Sequence, residues 1–469
     1  MHSLSWILLL LSSISFVVVL MKNNYEKCSF LPLVILFYVV ILIYINFELK
    51  YLWNSFATIV LFVGYFIRMA ICPLLMVLAD YKVNIPNSIW LDYTNYAVIL
   101  LIYEFLCVFI YLLTSKKVKL LTEAKNKNCL KSYELNITTY FIVMFFFLFA
   151  VFCILKRPDF LLSIKNTIDF VGFTERENAL RNRMYFEMRQ NASSLYTLYN
   201  TAIVFLQILL PAVILNFIYK NKIVFLTTLH RVENIILGFV VLFFTLLFTT
   251  EDNSKSILVA ISVFITLLFM YPNSVKKIIP LMFLCGTTFT VVLFLVKTGM
   301  FFGRYKGAET IAELINSYFC GIPNIALGMT IEYPNKLITF IGDTVRAVPL
   351  AAHFFVDFTN SRTLFNFAYH GVDGYYNQIM PTICYGYKYF GLLAPILPLF
   401  IFNWAVKYEI KFHQSDIVFN KLIFAFFAVY FSVCPTMYMF TSALVMLCYA
   451  IVFECIVRLN TKGEKKINQ

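Results

Sequence analysis

Charge is scarce in this chain. Only 13% of its 469 residues are Asp, Glu, Lys or Arg, about half the share of a soluble globular protein. That scarcity comes with 61% hydrophobic and 18% aromatic residues, including 51 Phe and 30 Tyr. No water-soluble core of this size hides so much apolar surface, which excludes a cytosolic enzyme, a disordered protein and a nucleic-acid binder built on a basic domain. Other signals are missing too. There is no GxxxxGK phosphate loop, no dinucleotide fingerprint and no GxSxG elbow, so nothing calls for a nucleotide or a serine-hydrolase site. No CxxC or His/Cys spacing suggests a metal, and no internal repeat is visible. The first apolar run has only His2 before it and no clear small-residue cleavage site, so it reads as a retained helix, not a signal peptide.

What is present is a series of apolar runs long enough to cross about 30 Å of hydrocarbon. About twelve can be counted, near residues 4–21, 29–47, 52–79, 93–114, 136–155, 199–218, 234–250, 256–271, 278–296, 389–406, 417–433 and 438–457. The expected fold is an all-α polytopic transmembrane bundle of about 12 spans. Its expected parts are N-terminal spans (1–155), a first outer loop (156–198), central spans (199–296), a large outer loop with short helices (297–388), C-terminal spans (389–458) and a tail (459–469).

The excess positive charge supports this alternation. With the N-terminus inside, one set of short connections holds eighteen Lys and Arg and the opposite set only Lys22, Lys27, Lys82 and Lys255. Cytoplasmic loops carry such an excess, so both termini are expected inside, and the net charge of +13 mostly reports topology. Most of the 11 Cys lie in apparent spans, as small apolar packing residues. Cys320 and Cys384 fall in the large outer loop and could pair, although nothing in the sequence requires it.

The two long outer segments carry seven Lys or Arg each, among them Arg181 in the first and Arg304, Arg346 and Arg362 in the second. Two accounts compete for these arginines. They either form solvated helix faces with local ion pairs, or they hold an anion, which the planar guanidinium grips with two parallel hydrogen bonds. The second segment keeps apolar residues at helical spacing, as in "IAELINSYF" and "LAAHFFVDF", so short helices over the mouth of the bundle are expected there. Its aromatic residues suit either stacking on sugar faces or an interfacial belt.

Two ionisable residues sit inside spans: Arg68 in "GYFIRMAICP" and Glu104 in "LIYEFLCVF". Each lies about eleven residues from the outer end of its run, roughly 16 Å deep at helical rise. A short loop joins the two runs, which makes them antiparallel neighbours. A buried charge needs a partner or a cavity, so an Arg68–Glu104 pair is expected, with Pro73 kinking the first of the two helices.

The stretch "HGVDGYYNQIMPTICYGYKYFGLLAPILPLF" (370–400) resembles the end of the large outer loop and the following span of O-antigen and capsule polymerases of the Wzy type, in which Tyr-Phe-Gly opens a span. "SYFCGIPNIALG" (317–328) and "ALRNRMYFEMRQ" (179–190) are similar to other loop segments of that family. The related O-antigen ligases carry a loop His followed by Asn; here Gly371 follows His370. The resemblance implies a GT-C-like, metal-independent glycosyltransferase in a bacterial plasma membrane. It would join undecaprenyl-pyrophosphate-linked oligosaccharide repeat units at the outer face, without a cofactor. Its implied partners are those lipid-linked glycans, the bilayer, and a chain-length regulator and flippase of the same pathway, with no nucleic acid. His370 would be the catalytic base and Asp373 its orienter or the alternative base, with His353, Asp343 and Asp357 as weaker bases. Arg181, Arg304, Arg346 and Arg362 would hold the leaving pyrophosphate. An O-antigen ligase differs only in its acceptor. A lipid-linked-oligosaccharide flippase is the rival of another class, although the long outer loops and missing repeat argue against a transporter.

Overall fold

The computed structural model describes residues 2–81, 88–123, 134–157, 193–225, 253–270, 308–348, 351, 360–370 and 378–467. Among the described residues every regular element is a helix and none is a strand. In chain order the main helices are α1 (His2–Lys22), α2 (Leu31–Glu48), α3 (Phe56–Phe66), α4 (Cys72–Leu78), α5 (Thr94–Thr114), α6 (Lys116–Glu123), α7 (Ile137–Lys156), α8 (Ser193–Phe225) and α9 (Asn253–Met270). They continue with α10 (Ala308–Tyr318), α11 (Ile322–Thr330), α12 (Lys336–Arg346), α13 (Ser361–His370), α14 (Thr382–Phe390), α15 (Ile396–Gln414), α16 (Val418–Met437) and α17 (Phe440–Ile467).

Eight helical stretches among the described residues are long and apolar enough to cross a membrane, and they coincide with eight of the twelve expected runs. A ninth run, near 389–406, does not form one straight helix. It is a pair, Thr382–Leu393 and Ile396–Gln414, bent by 115°. The run near 256–271 is the shorter apolar helix α9, and those near 234–250 and 278–296 lie outside the described residues. Large apolar side chains stay exposed along single helices. On α7, Phe141 and Phe145 are 64% and 62% exposed, which only a lipid environment makes tolerable on such a scale. The chain is therefore a multi-pass helical membrane protein.

Contacts divide the chain into two compact units. The first takes in Met1–Lys125, Lys306–Ile410 and Tyr430–Cys448; the second takes in Asn126–Tyr305, Lys411–Val429 and Tyr449–Gln469.

In the first unit α1 packs on α2 and α2 on α5. The start of α3 is fixed twice over. The Ser55 hydroxyl accepts from the Thr58 amide at 3.1 Å, and the fully buried Glu409 carboxylate accepts from the amides of Phe56 (2.8 Å) and Ala57 (3.2 Å) and from the Ser55 hydroxyl (2.6 Å). A carboxylate at a helix N-terminus satisfies orphan amides and meets the positive end of the dipole, which makes this buried acid tolerable. Between α3 and α4 the helix widens into a π-turn, Ile67–Ile71, immediately before Pro73. Proline removes an amide and crowds the preceding turn, and one wide turn absorbs that conflict without breaking the span.

The second unit contains α7 packed on α8, with a core built from Ala150, Cys153, Tyr199, Ala202, Ile203 and Leu206. Phe205 stacks on Phe146 at 4.5 Å and on Phe453 at 4.8 Å. The buried Lys421 donates to the Phe412 carbonyl at 2.9 Å and lies over the Phe412 ring.

Candidate functional site

All the contacts of this site lie in the first unit. Arg68 stands in the π-turn and Glu104 midway along α5, and both are completely buried. The structure brings them together: Arg68 Nη1 lies 3.0 Å from Glu104 Oε2 and 3.2 Å from Oε1. The Tyr65 hydroxyl donates to the same carboxylate at 3.0 Å. Two ions removed from water lose solvation worth several kcal/mol each, so pairing alone is a poor bargain unless further hydrogen bonds complete the shell. Arg68 finds them on two other segments. Its Nε donates to the Cys320 carbonyl at 2.9 Å, and Nη1 also reaches the Pro435 carbonyl at 3.3 Å. Its Nη2 has no hydrogen-bond partner among the described residues.

The turn between helices α10 and α11 reaches a side chain from the middle of a span. The segment "SYFCGIPNIALG" forms this hairpin, and every residue from Ile322 to Gly328 is buried. Helix α10 packs on α4, and α11 on α5 and α14. Such a backbone reversal survives among spans only where protein covers its polar groups, and the Arg68 bond to the Cys320 carbonyl does part of that covering. Cys320 adopts φ +49°, a left-handed conformation costing about 1–2 kcal/mol in a residue with a Cβ. Glycine follows immediately: a Cβ on Gly321 would fall 2.0 Å from Asn316 Oδ1. Cys320 and Cys384 are both free thiols, so the pairing considered from sequence is not made. Cys384 lies against α11 instead, its sulfur 3.5 Å from the Ile325 carbonyl oxygen and beside Gly328.

The next three helices converge on Asp343. Its carboxylate, 1% exposed, accepts from the Ser361 amide at 3.1 Å, the Ser361 hydroxyl and the Tyr389 hydroxyl. One acid thus ties α12 to the first turn of α13 and to the end of α14. Burial pushes the Asp343 carboxyl above the usual carboxylate range, against the opposing pull of these donors and of the Arg346 charge. Tyr389 is surrounded by rings, with Tyr333 at 5.6 Å and Phe340 at 5.1 Å between centroids. Arg346 ends α12 and Arg362 is the second residue of α13, so two of the four expected anion ligands stand on the helices of this cluster, each half-buried. Lys388 on α14 donates to the Met329 carbonyl at 2.7 Å.

Arg181, Arg304 and Asp373 lie outside the described residues, as do His353 and Asp357. His370 is the last residue of α13, and its side chain is outside the described set. Among the described residues no group of three His, Cys, Asp or Glu is placed to hold a metal. Sequence reasoning missed Tyr65, the Cys320 carbonyl, Tyr389 and Glu409. Backbone carbonyls leave no mark in a sequence, and an acid near the end of an apolar run looks like an ordinary boundary residue. No family model, curated protein or solved structure matches this chain.

Proposed function

We propose that this protein is a membrane glycosyltransferase that polymerises polyprenyl-pyrophosphate-linked oligosaccharide repeat units at the outer face of a bacterial plasma membrane, with both termini in the cytoplasm. The observation that carries the reading is the cluster of α12, α13 and α14, where aromatic rings surround one buried, hydrogen-bonded carboxylate, with Arg346 at the end of α12 and Arg362 in the first turn of α13. Arginines suit the pyrophosphate and rings suit sugar faces. The hairpin of α10 and α11 roots this cluster among the spans, where a polyprenyl tail has to be held.

In the proposed reaction the acceptor hydroxyl attacks the anomeric carbon of the donor. Its proton passes to His370, and the bond to the pyrophosphate oxygen breaks. Asp373 orients the base, and Arg346 and Arg362, with Arg181 and Arg304, take up the negative charge of the departing group. Asp343 is a positioning residue, since its acceptor oxygens are committed to Ser361 and Tyr389.

Purified protein given lipid-linked repeat units tests the proposal. A ladder of lengthened glycans is expected, and it should collapse for His370→Ala and weaken for Arg346→Lys. Transfer onto a different lipid acceptor in place of a ladder would make it a ligase. Movement of the substrate across the bilayer without lengthening would make it a flippase.

A further inference from the structure

The second unit holds a pocket that has no part in this chemistry. It lies where three helix ends meet: the last turn of α15, the first turns of α16 and the end of the apolar part of α17. Its volume is about 300 Å³, at the lower limit for small-ligand sites and far too small for a whole lipid. Lys411 and Glu454 form an ion pair at its wall, and Arg458 stands one helical turn beyond Glu454. Phe424 backs the wall, with Lys411 Nζ 5.9 Å from its ring centre. Two cations and one carboxylate leave a single net positive charge. Asn420 also lines the pocket; it is 2% exposed, and its Oδ1 has no hydrogen-bond partner among the described residues. A buried acceptor without a donor is costly, and a ligand that brings a donor would recover that cost.

We infer that this pocket binds the headgroup of a glycerophospholipid carrying both a phosphodiester and an ammonium group, as phosphatidylethanolamine does. The pocket opens at the ends of two candidate spans, Val418–Met437 and Phe440–Asn460, the level at which bilayer phosphates lie. One net positive charge matches a phosphodiester, which carries one negative charge, better than a doubly charged phosphomonoester. Arg458 and Lys411 take the phosphate oxygens. The ammonium then donates to Asn420 Oδ1 and to Glu454, which no choline headgroup can do because it has no N–H.

The test is native mass spectrometry of the purified full-length protein with equimolar phosphatidylethanolamine, phosphatidylglycerol and phosphatidylcholine. Phosphatidylethanolamine should be retained above phosphatidylcholine by about tenfold, the effect of one charge-assisted hydrogen bond. Asn420→Leu keeps the branching of the side chain and removes the orphan acceptor, so it should fold and narrow that preference, with Glu454 still in place. Arg458→Gln changes an exposed side chain and should weaken retention of all three lipids. Equal retention of the ethanolamine and choline lipids by the unaltered protein overturns the inference, as does undiminished binding by Arg458→Gln. Displacement of the lipid by millimolar inorganic phosphate would make this a site for the free ion and would also overturn it.

Discussion

A buried arginine within a span is worth keeping only if every neighbour agrees on where it sits. Arg68 is held by a carboxylate from α5 and by carbonyls from two segments hundreds of residues further on. Removing one partner should cost more than the pair itself contributes, because the other charge is then left in a dry interior. Glu104→Ala is therefore expected to lose about 3–5 kcal/mol, seen as a steep fall in the melting temperature of the detergent-purified protein. An Arg68→Glu, Glu104→Arg exchange should recover only part of this, since the new arginine would leave Cys320 and Pro435 behind; full recovery would show that those carbonyls contribute nothing. The pair itself was legible in the sequence, because ionisable residues are conspicuous in apolar runs and depth can be counted along a helix. Its carbonyl partners were not, since any residue supplies a carbonyl and only the fold decides which one points inward. Asp343 shows the same limit. It was a weaker candidate base under the family resemblance, and only the approach of Ser361 and Tyr389 shows that its oxygens are already engaged.

At the scale of elements, hydrophobic runs located the helices well and their interruptions poorly. The π-turn before Pro73 is the form taken by the kink that proline led one to expect. The break at the end of α14 was not expected, and it has a local cause. Gly391 adopts φ +60°, where glycine alone is unstrained, and it ends α14 just where Tyr-Phe-Gly was read as opening a span. The chain then folds back so closely that a Cβ on Gly386 would fall 2.1 Å from the Ala394 carbonyl oxygen. Because the obstacle is backbone, no rotamer change relieves it. Gly386→Ala should cost about 1–3 kcal/mol and impair polymerisation by disturbing α14 and its Tyr389 anchor. A variant with unchanged melting temperature and product length would show that the bend is dispensable.

For the whole molecule, the apolar composition settled the class of protein and the charge asymmetry set the expected orientation. What no periodicity could reveal was that part of the large loop is interior, because "IAELINSYF" and "SYFCGIPNIALG" have the same pattern whether they cap a bundle or enter it. Orientation has its own test. Lys336 begins α12, is exposed, and belongs to the segment expected outside. In intact cells Lys336→Cys should react with a membrane-impermeant maleimide while the parent protein stays unlabelled. Labelling only after permeabilisation would place the arginine-bearing helices in the cytoplasm and end the polymerase proposal.

The thread from Arg68 to Cys320 also sets a timetable for biogenesis. Glu104 follows Arg68 by 36 residues, whereas Cys320 follows it by 252. At ribosomal speed that longer interval is on the order of ten to fifty seconds, during which the first helices must wait in the bilayer with their guanidinium only partly satisfied. Glu104 is thus the one partner made early, and the arginine's shell is completed in two later steps, by the Cys320 carbonyl of the hairpin and then by the Pro435 carbonyl of α16.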